Sequence, residues 1–401
     1  MRPTASAHQF KPLPISRGRE LILRFSAILG ILVGLVSACT MTGGHGRALV
    51  NCPLRETRLY LNVSQGMEPG DLLQRDLDWV DVYCGKSVTP VATLRNGIEN
   101  ISSQIEHDSA GNLYVSDSAG EHDPDSLPDA FLIYDRLGRL VRRILIPGEF
   151  RHFVTNERSG ESYIIYFRKE GTLRILAVGG NPPRVQGDYP VAADAGFPLQ
   201  PVLDKNGIIF YEGVDDFAIH LMNPKTASVL KPEIPNVRSF IIGRDNKIYA
   251  RAYVSAHYND STMVKPGIIR VYDPRDLRLI RSFRIGSRGF RDVGPSTASV
   301  DGTFAIALDK SRKIEIFGPG GDKPKTVIKN IDNVIGLTFD NDDTLYVVSY
   351  LSSRFGPAGV YAFKAGTAEV LRSYPFRKQQ YVADMTLIPG GTLTASFPTD
   401  R

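Results

Sequence analysis

Short runs of apolar residues, separated by clusters of turn-forming residues, follow one another along most of the chain. The clearest stretch, residues 108–146, predicts three strands, at residues 113–117, 130–134 and 140–146. Asp, Gly and Asn before the first strand, and Asp135-Arg-Leu-Gly138 between the second and third, are typical of tight turns. Such a small sheet is apolar on both faces, so it is expected to pack between copies of itself.

Further copies of this unit occur along the sequence. Residues 247–285 and 344–376 repeat the order of strand, strand, Asp-containing turn or polar turn, and basic strand. Weaker copies begin near Thr57, Ser162, Gly207 and Thr303, and a partial copy begins near Thr392. The starts lie roughly 40 to 56 residues apart, close to the spacing of propeller blades.

The repeats predict an all-β fold, a β-propeller of seven four-stranded blades. Six blades are defined by central strands that contain Tyr114, Tyr163, Phe210, Tyr249, Phe304 and Tyr346. A seventh is expected where the N-terminal strands around Leu59 and at 79–94 join a C-terminal hairpin at 382–397, a closure that removes exposed sheet edges. Eight blades are the alternative, if Thr392 starts a further blade.

The N-terminal segment is polar and basic up to residue 24 and apolar from 25 to 38, a run too short to span a bilayer but suited to an export signal. Val36-Ser37-Ala38-Cys39 follows and resembles the lipobox of bacterial lipoproteins. The resemblance implies that residues 1–38 are a signal peptide and that Cys39 is diacylated, with residues 39–54 as anchor and short tether. Because Thr40 is not the Asp that retains such proteins at the inner membrane, the periplasmic face of the outer membrane is the expected location. An ordinary cleaved signal or an uncleaved anchor is the alternative.

The sequence contains 3 cysteines. Assigning Cys39 to lipid leaves Cys52 and Cys84, which are predicted to form a disulfide in an oxidising compartment. Two buried thiols are the alternative.

The charge and composition of the chain limit the classes of binding partner that are expected. The net charge of +5 is carried mostly by the leader, so the remainder of the 401-residue chain is nearly neutral, and no nucleic-acid partner is expected. With 42% hydrophobic residues the chain can bury a sizeable core.

Two segments resemble blades of NHL-type and YVTN-type propellers. They are Asp108-x-x-Gly111-Asn112-Leu113-Tyr114-Val115 and Asp340-x-x-Asp343-Thr344-Leu345-Tyr346-Val347. The resemblance implies a single propeller domain at residues 55–397, followed by a tail at 398–401. These families include enzymes and partner-binding scaffolds, so the resemblance does not imply a function.

Long connections inside four repeats, at residues 65–78, 118–129, 254–266 and 351–358, are expected to emerge on one face of the propeller. Loops on a rigid scaffold are common binding sites. The candidate binding-face residues are His122, Asp123, Asp125, His257, Tyr258, Asp260, Tyr350, Arg354 and Phe355.

Evidence for catalytic chemistry is weaker. Asp117, Glu121 and Asp129 are candidate ligands for Ca²⁺ or another divalent metal, but their spacing differs from an EF-hand, and a polar loop is the favoured interpretation. No convergent catalytic set is recognisable. The sequence therefore favours a lipid-anchored module that binds an envelope protein, a peptide or a glycan. The alternative is a propeller hydrolase of the lactonase or lyase kind, with a divalent metal in its central channel.

Overall fold

The computed structural model describes residues 52–53, 56–65, 78–95, 98, 104–118, 128–192, 198–213, 216–252, 267–286, 293–349, 355–364, 366–376 and 380–388. Within this part of the chain there are 28 strands and no α-helix. The strands form seven separate sheets, each of four antiparallel strands. No helix in the described part is long and apolar enough to cross a membrane.

The sheets are numbered as blades 1 to 7. Blade 1 contains β28 (Gln380–Ile388), β1 (Arg58–Gln65), β2 (Asp78–Cys84) and β3 (Ala92–Leu94). Blades 2 and 3 contain β4 (Ile105–His107), β5 (Leu113–Asp117), β6 (Ala130–Tyr134), β7 (Leu140–Leu145), β8 (Glu149–Thr155), β9 (Ser162–Phe167), β10 (Leu173–Gly179) and β11 (Arg184–Pro190). Blades 4 and 5 contain β12 (Pro198–Leu203), β13 (Ile209–Gly213), β14 (Ile219–Asn223), β15 (Ser228–Ile234), β16 (Val237–Ile242), β17 (Ile248–Ala252), β18 (Ile268–Tyr272) and β19 (Leu279–Arg284). Blades 6 and 7 contain β20 (Val293–Ala298), β21 (Phe304–Leu308), β22 (Lys313–Phe317), β23 (Pro324–Lys329), β24 (Val334–Phe339), β25 (Leu345–Ser349), β26 (Gly359–Phe363) and β27 (Val370–Pro375).

The seven blades close into a ring. The first strand of each blade contacts the first strand of the next, in the order β28, β4, β8, β12, β16, β20, β24 and back to β28. These seven strands therefore surround the central channel, and the fourth strand of each blade lies at the outer rim. The predicted all-β propeller of seven four-stranded blades is confirmed.

Each blade is held by apolar layers on both of its faces, because successive side chains of a strand point to opposite sides. In β5, Leu113 and Val115 pack with Tyr60 and Val80 of blade 1, whereas Tyr114 packs on the opposite side with residues of blade 3. Burying a large apolar side chain stabilises the fold by about 1.5 to 3 kcal/mol. The aromatic and β-branched residues of the second and third strands thus form the apolar packing that holds adjacent blades together.

Blade 1 is completed by the two ends of the described chain. Strand β28 pairs antiparallel with β1, with Leu387 opposite Leu59 and Thr386 opposite Tyr60. The predicted completion of this blade by the C-terminal hairpin is confirmed for the first strand of the hairpin, which is β28. The second strand of the predicted C-terminal hairpin, and Thr392, lie outside the described residues.

A disulfide joins Cys52 to Cys84, with 5.6 Å between the Cα atoms, as predicted. Next to it, Arg58 donates from Nη2 to the carbonyl oxygen of Cys52 at 3.0 Å and from Nη1 to that of Arg136 in blade 2 at 2.8 Å. The start of the domain is therefore tied both to the end of β2 and to the neighbouring blade. Residues 1–51, with the predicted leader and Cys39, lie outside the described residues.

Candidate functional site

The two faces of the ring are built from different connections. In every blade the turns from first to second strand and from third to fourth strand lie on one side, which we call the turn face. The connections from second to third strand, and from each blade to the next, lie on the opposite side, the loop face. Four of the connections on the loop face are the long ones, joining β1 to β2, β5 to β6, β17 to β18 and β25 to β26.

On the turn face, the turns nearest the channel are held by aspartates. Asp108 accepts hydrogen bonds from the backbone N–H of Asn112 at 2.9 Å and from the Tyr114 hydroxyl at 2.8 Å. Asp340 similarly accepts from the backbone N–H of Thr344 at 2.8 Å. Both aspartates are only 4% exposed. These carboxylates are used to form turns and are not presented to solvent.

Arg244 extends from the β16–β17 turn of blade 5 to blade 7. Its guanidinium donates to the carbonyl oxygen of Phe339 at 3.1 Å and to Oδ1 of Asn341 at 2.5 Å. Burial lowers the pKa of Arg244, while the carboxylates of Glu157 in blade 3 and Asp340 in blade 7 act in the opposite direction. A side chain that interacts with blades on both sides of its own lies across the turn end of the channel.

His107 lines the same end of the channel. Its Nδ1 lies 2.8 Å from Oγ1 of Thr386, across the junction of blades 1 and 2. Burial lowers the pKa of His107 to about 4, with Arg244 lowering it further and Asp108 opposing the change. The imidazole is therefore neutral at physiological pH, and it acts as a packed hydrogen-bonding residue.

The loop face carries a buried carboxyl group between blades 4 and 5. Glu212, near the end of β13, is 8% exposed, and its carboxylate makes no side-chain hydrogen bond or ion pair with the residues that the structure describes. Burial raises its pKa to about 7, although the positive charges of Arg238 and Arg251 lower it. A buried acid with this pKa is present in both protonation states near neutral pH.

The two arginines come from blade 5 and lie at the same end of their strands. Arg238 is near the start of β16, and its guanidinium lies 5.6 Å from the centroid of the Phe217 ring. The Val237 N–H donates to the carbonyl oxygen of Phe217 at 2.7 Å, which fixes this ring beside the arginine. Arg251 is near the end of β17. Glu212, Arg238, Arg251 and Phe217 are the core of the candidate site.

A second polar group lies on the same face of blade 4. His220 contacts Oδ2 of Asp216 through Nε2 at 2.7 Å and Oε2 of Glu233 through Nδ1 at 3.4 Å, and its ring stacks on Tyr211 at 5.3 Å. A Cβ on Gly213 would lie 2.3 Å from Oδ1 of Asp216, so a larger residue there would displace the Asp216 and His220 side chains. The three ligand-type atoms lie within 4.8 Å of one another. Both ring nitrogens already face a carboxylate, so a metal ion would have to displace one of these contacts.

Three of the residues singled out from the sequence lie in the described part of the loop face. Phe355 packs on Phe363 with 5.1 Å between ring centroids. Asp117 is fully buried and pairs with Nη2 of Arg143 at 3.2 Å, and Asp129 accepts from the Phe150 N–H at 2.8 Å. The remaining candidates lie outside the described residues: Glu121, His122, Asp123, Asp125, His257, Tyr258, Asp260, Tyr350 and Arg354.

Sequence reasoning missed Glu212 and its two arginines. The only available signal was a carboxylate at the end of an otherwise apolar strand, Ile-Phe-Tyr-Glu-Gly. Its burial depends on how blade 5, the next blade in the chain, packs against blade 4.

No protein-family model and no curated protein matches the chain. Among solved structures, a putative 6-phosphogluconolactonase from Bacteroides uniformis aligns with a TM-score of 0.54 at 11% identity, over 83% of this chain and 99% of that one. A dihydro-heme d1 dehydrogenase aligns with a TM-score of 0.53 at 11% identity, over 83% of this chain and 66% of that one. Virginiamycin B lyase from Staphylococcus aureus aligns with a TM-score of 0.48 at 13% identity, over 71% and 87%. At these identities the likeness shows the fold alone: the chain is a seven-bladed β-propeller.

Proposed function

We propose that this protein is a binding module of the bacterial envelope, anchored through an acylated Cys39, which captures an envelope protein, peptide or glycan on its loop face. The lipobox resemblance of residues 36–39 supports the anchor, and the aspartate-held turns support assignment of the blades to the NHL or YVTN type.

The observation that carries the binding proposal is Glu212. The Glu212 residue is 8% exposed and burial raises its pKa to about 7, so holding its carboxylate in the charged form at this site is costly. A ligand that donates a hydrogen bond to Glu212 would remove that cost. The flanking arginines favour a ligand that also carries an anionic group.

The contrast between the faces supports the same site. The turn end of the channel is crossed by Arg244, whereas the loop face holds all four long connections. Long connections on a rigid scaffold are common binding sites, so the loop face is the better candidate for ligand binding.

The test is crosslinking in intact cells followed by capture through an internal affinity tag, with wild-type protein and three variants. We expect Glu212→Gln and Arg238→Ala to reduce capture of one envelope component at least tenfold. The matched control is Glu170→Gln, an exposed carboxylate in the β9–β10 connection of the same face, which should leave capture unchanged. Equal capture by all variants would show that Glu212 and Arg238 do not form the binding site. Capture of no specific partner would refute the proposed binding function.

A lactonase-like or lyase-like hydrolase is the second candidate. The observation that favours it is again the pKa of Glu212, since an acid poised near neutral pH suits general acid–base catalysis. Metal analysis and a screen of lactones and glycans test it. Turnover that is lost in Glu212→Gln but kept in Glu170→Gln would favour the enzyme over the binding module.

A further inference from the structure

The start of the domain lies on the turn face. Strand β1 is the second strand of blade 1, so it begins at Arg58 on that side, and β2 ends there at Cys84. The disulfide fixes Cys52 beside Cys84, and Arg58 holds the carbonyl oxygen of Cys52. The described chain therefore enters blade 1 from the turn face, opposite Glu212.

The segment between the anchor and the disulfide is short. Residues 40–51 can span at most roughly 40 Å when fully extended, and a flexible chain of this length averages about 20 Å between its ends. A lipid attached at Cys39 thus keeps the turn face within reach of the headgroups.

Exposed cations occur at the outer turns of this face in every blade. Each turn from third to fourth strand contains, or is directly followed by, at least one exposed lysine or arginine: Lys86, Arg136, Arg139, Arg184, Lys225, Arg275, Arg278, Lys323 and Lys364. Lys86, Arg136 and Lys323 form no ion pair with any residue that the structure describes. Their charge is fully available to a partner.

Carboxylates in these outer turns offset only part of that charge. Asp135 and Asp273 pair with Arg139 and Arg275, each at 2.6 Å, and are less exposed than the arginines. Asp276, Asp322 and Glu369 are exposed, Glu369 pairs with Lys364 at 3.5 Å, and the exposed Glu56 lies beside Gly85, so these carboxylates remain fewer than the cations. The exposed carboxylates of the inner turns, such as Glu157, lie nearer the channel, so the periphery of the face carries the positive excess.

Apolar side chains accompany the cations next to the chain's entry point. Val88 and Val91, in the turn that follows Cys84 and Lys86, are 50% and 39% exposed. Aliphatic residues beside lysine are suited to the boundary between lipid headgroups and acyl chains.

We propose that the periphery of the turn face rests on an anionic phospholipid surface, with the 85–91 turn of blade 1 as its nearest contact, so that the loop face points away from the membrane. This orientation rests on the proposed anchor. The affinity of the turn face for lipid does not depend on that anchor, because it follows from the exposed cations alone.

The first experiment measures lipid affinity without the anchor. The mature chain from Thr40 onward is exported with a cleavable signal peptide, so that it carries no lipid, and is sedimented with vesicles of phosphatidylcholine containing or lacking about 30 mol% phosphatidylglycerol. We expect binding only to the anionic vesicles. The triple variant Lys86→Glu, Arg136→Glu, Lys323→Glu should bind them at least about 100-fold more weakly, since each lost cation costs about fivefold in affinity and the new carboxylates add repulsion.

The matched control reverses three exposed cations on the other side of the ring, Arg284, Lys310 and Lys329, each replaced by glutamate. Its net charge equals that of the turn-face variant, so a general charge effect would weaken both equally. The proposal is overturned if the control loses as much affinity as the turn-face variant, or if the unsubstituted chain binds both kinds of vesicle alike.

The second experiment separates this inference from the anchor. Acylation of Cys39 is read by mass spectrometry of the N-terminal peptide from the native protein. The acylated protein is then reconstituted with a fluorophore at Lys323→Cys or at Lys310→Cys, and quenching by spin-labelled lipid is measured. Quenching at position 323 and not at 310 supports the orientation, and the reverse or equal quenching overturns it. If the native chain is unacylated but still binds anionic vesicles through the turn face, the proposed acylation of Cys39 is refuted and the lipid affinity of the turn face is not.

Discussion

Glu212 makes the stability of the fold depend on pH. Its pKa is raised from 4.5 to about 7 on folding, so between these values the native state holds a proton that the unfolded chain releases. Stability is therefore expected to fall as pH rises from about 4.5 to 7.

Replacing Glu212 by Gln removes this dependence. The variant should be more stable than the wild type at pH 8 by about 1 to 3 kcal/mol, with a much smaller difference at pH 4. Urea unfolding at the two pH values measures the change. Equal differences at both would show that burial does not control this carboxyl group. Glu170→Gln, at an exposed position, is the control and should show no such pH dependence.

Arg244 is expected to matter for stability because it joins blades 5 and 7. Arg244→Met keeps the length of the side chain but leaves the Phe339 carbonyl without this donor. We expect a loss of about 1 to 3 kcal/mol in the free energy of unfolding. Arg158→Met, at an exposed position in another turn of the same face, should change it by less than about 0.5 kcal/mol. A similar loss in both variants would contradict the role given to Arg244.

At the scale of elements, the disulfide constrains the first segment of the domain. Cys52 and Cys84 are separated by 32 positions in sequence, and closing a loop of that length stabilises the fold by about 3 to 4 kcal/mol in the chain-entropy model. The double variant Cys52→Ser, Cys84→Ser should lose about this amount in thermal or urea unfolding. Reducing agent should destabilise the wild type and leave the variant unchanged. A wild type insensitive to reduction would argue against the constraint.

Strand β28 is expected to be indispensable, because β1 has no other partner on its inner side. A chain ending before residue 380 leaves blade 1 with three strands and exposes the edge of β1. We expect it to unfold without a cooperative transition and to aggregate. A chain ending after residue 388 retains all four strands and is the control. Cooperative unfolding of the shorter chain would show that the ring tolerates an open blade.

At the scale of the whole molecule, the sequence predicts the blades well and the channel poorly. The second and third strands are buried on both faces, so they are continuous apolar runs such as Ala130–Tyr134 that are easily recognised. The first strands, such as Val293–Ala298, are short or polar because they face the channel. Polar side chains there bond to the next blade: Gln104, directly before β4, donates to the Phe153 carbonyl at 2.7 Å and accepts from its N–H at 3.0 Å. Such contacts, like the burial of Glu212, arise only when folded blades pack against one another.

The pairing of β28 with β1 also sets the order in which the molecule can be made. The two strands lie at opposite ends of the domain sequence, so blade 1 is the last blade that can form as the chain emerges from a ribosome or a translocation pore. Until residues 380–388 are free, the other blades have no closed ring and the edge of β1 is unprotected. Any factor that keeps the emerging chain from aggregating must therefore act until almost all of the domain has appeared.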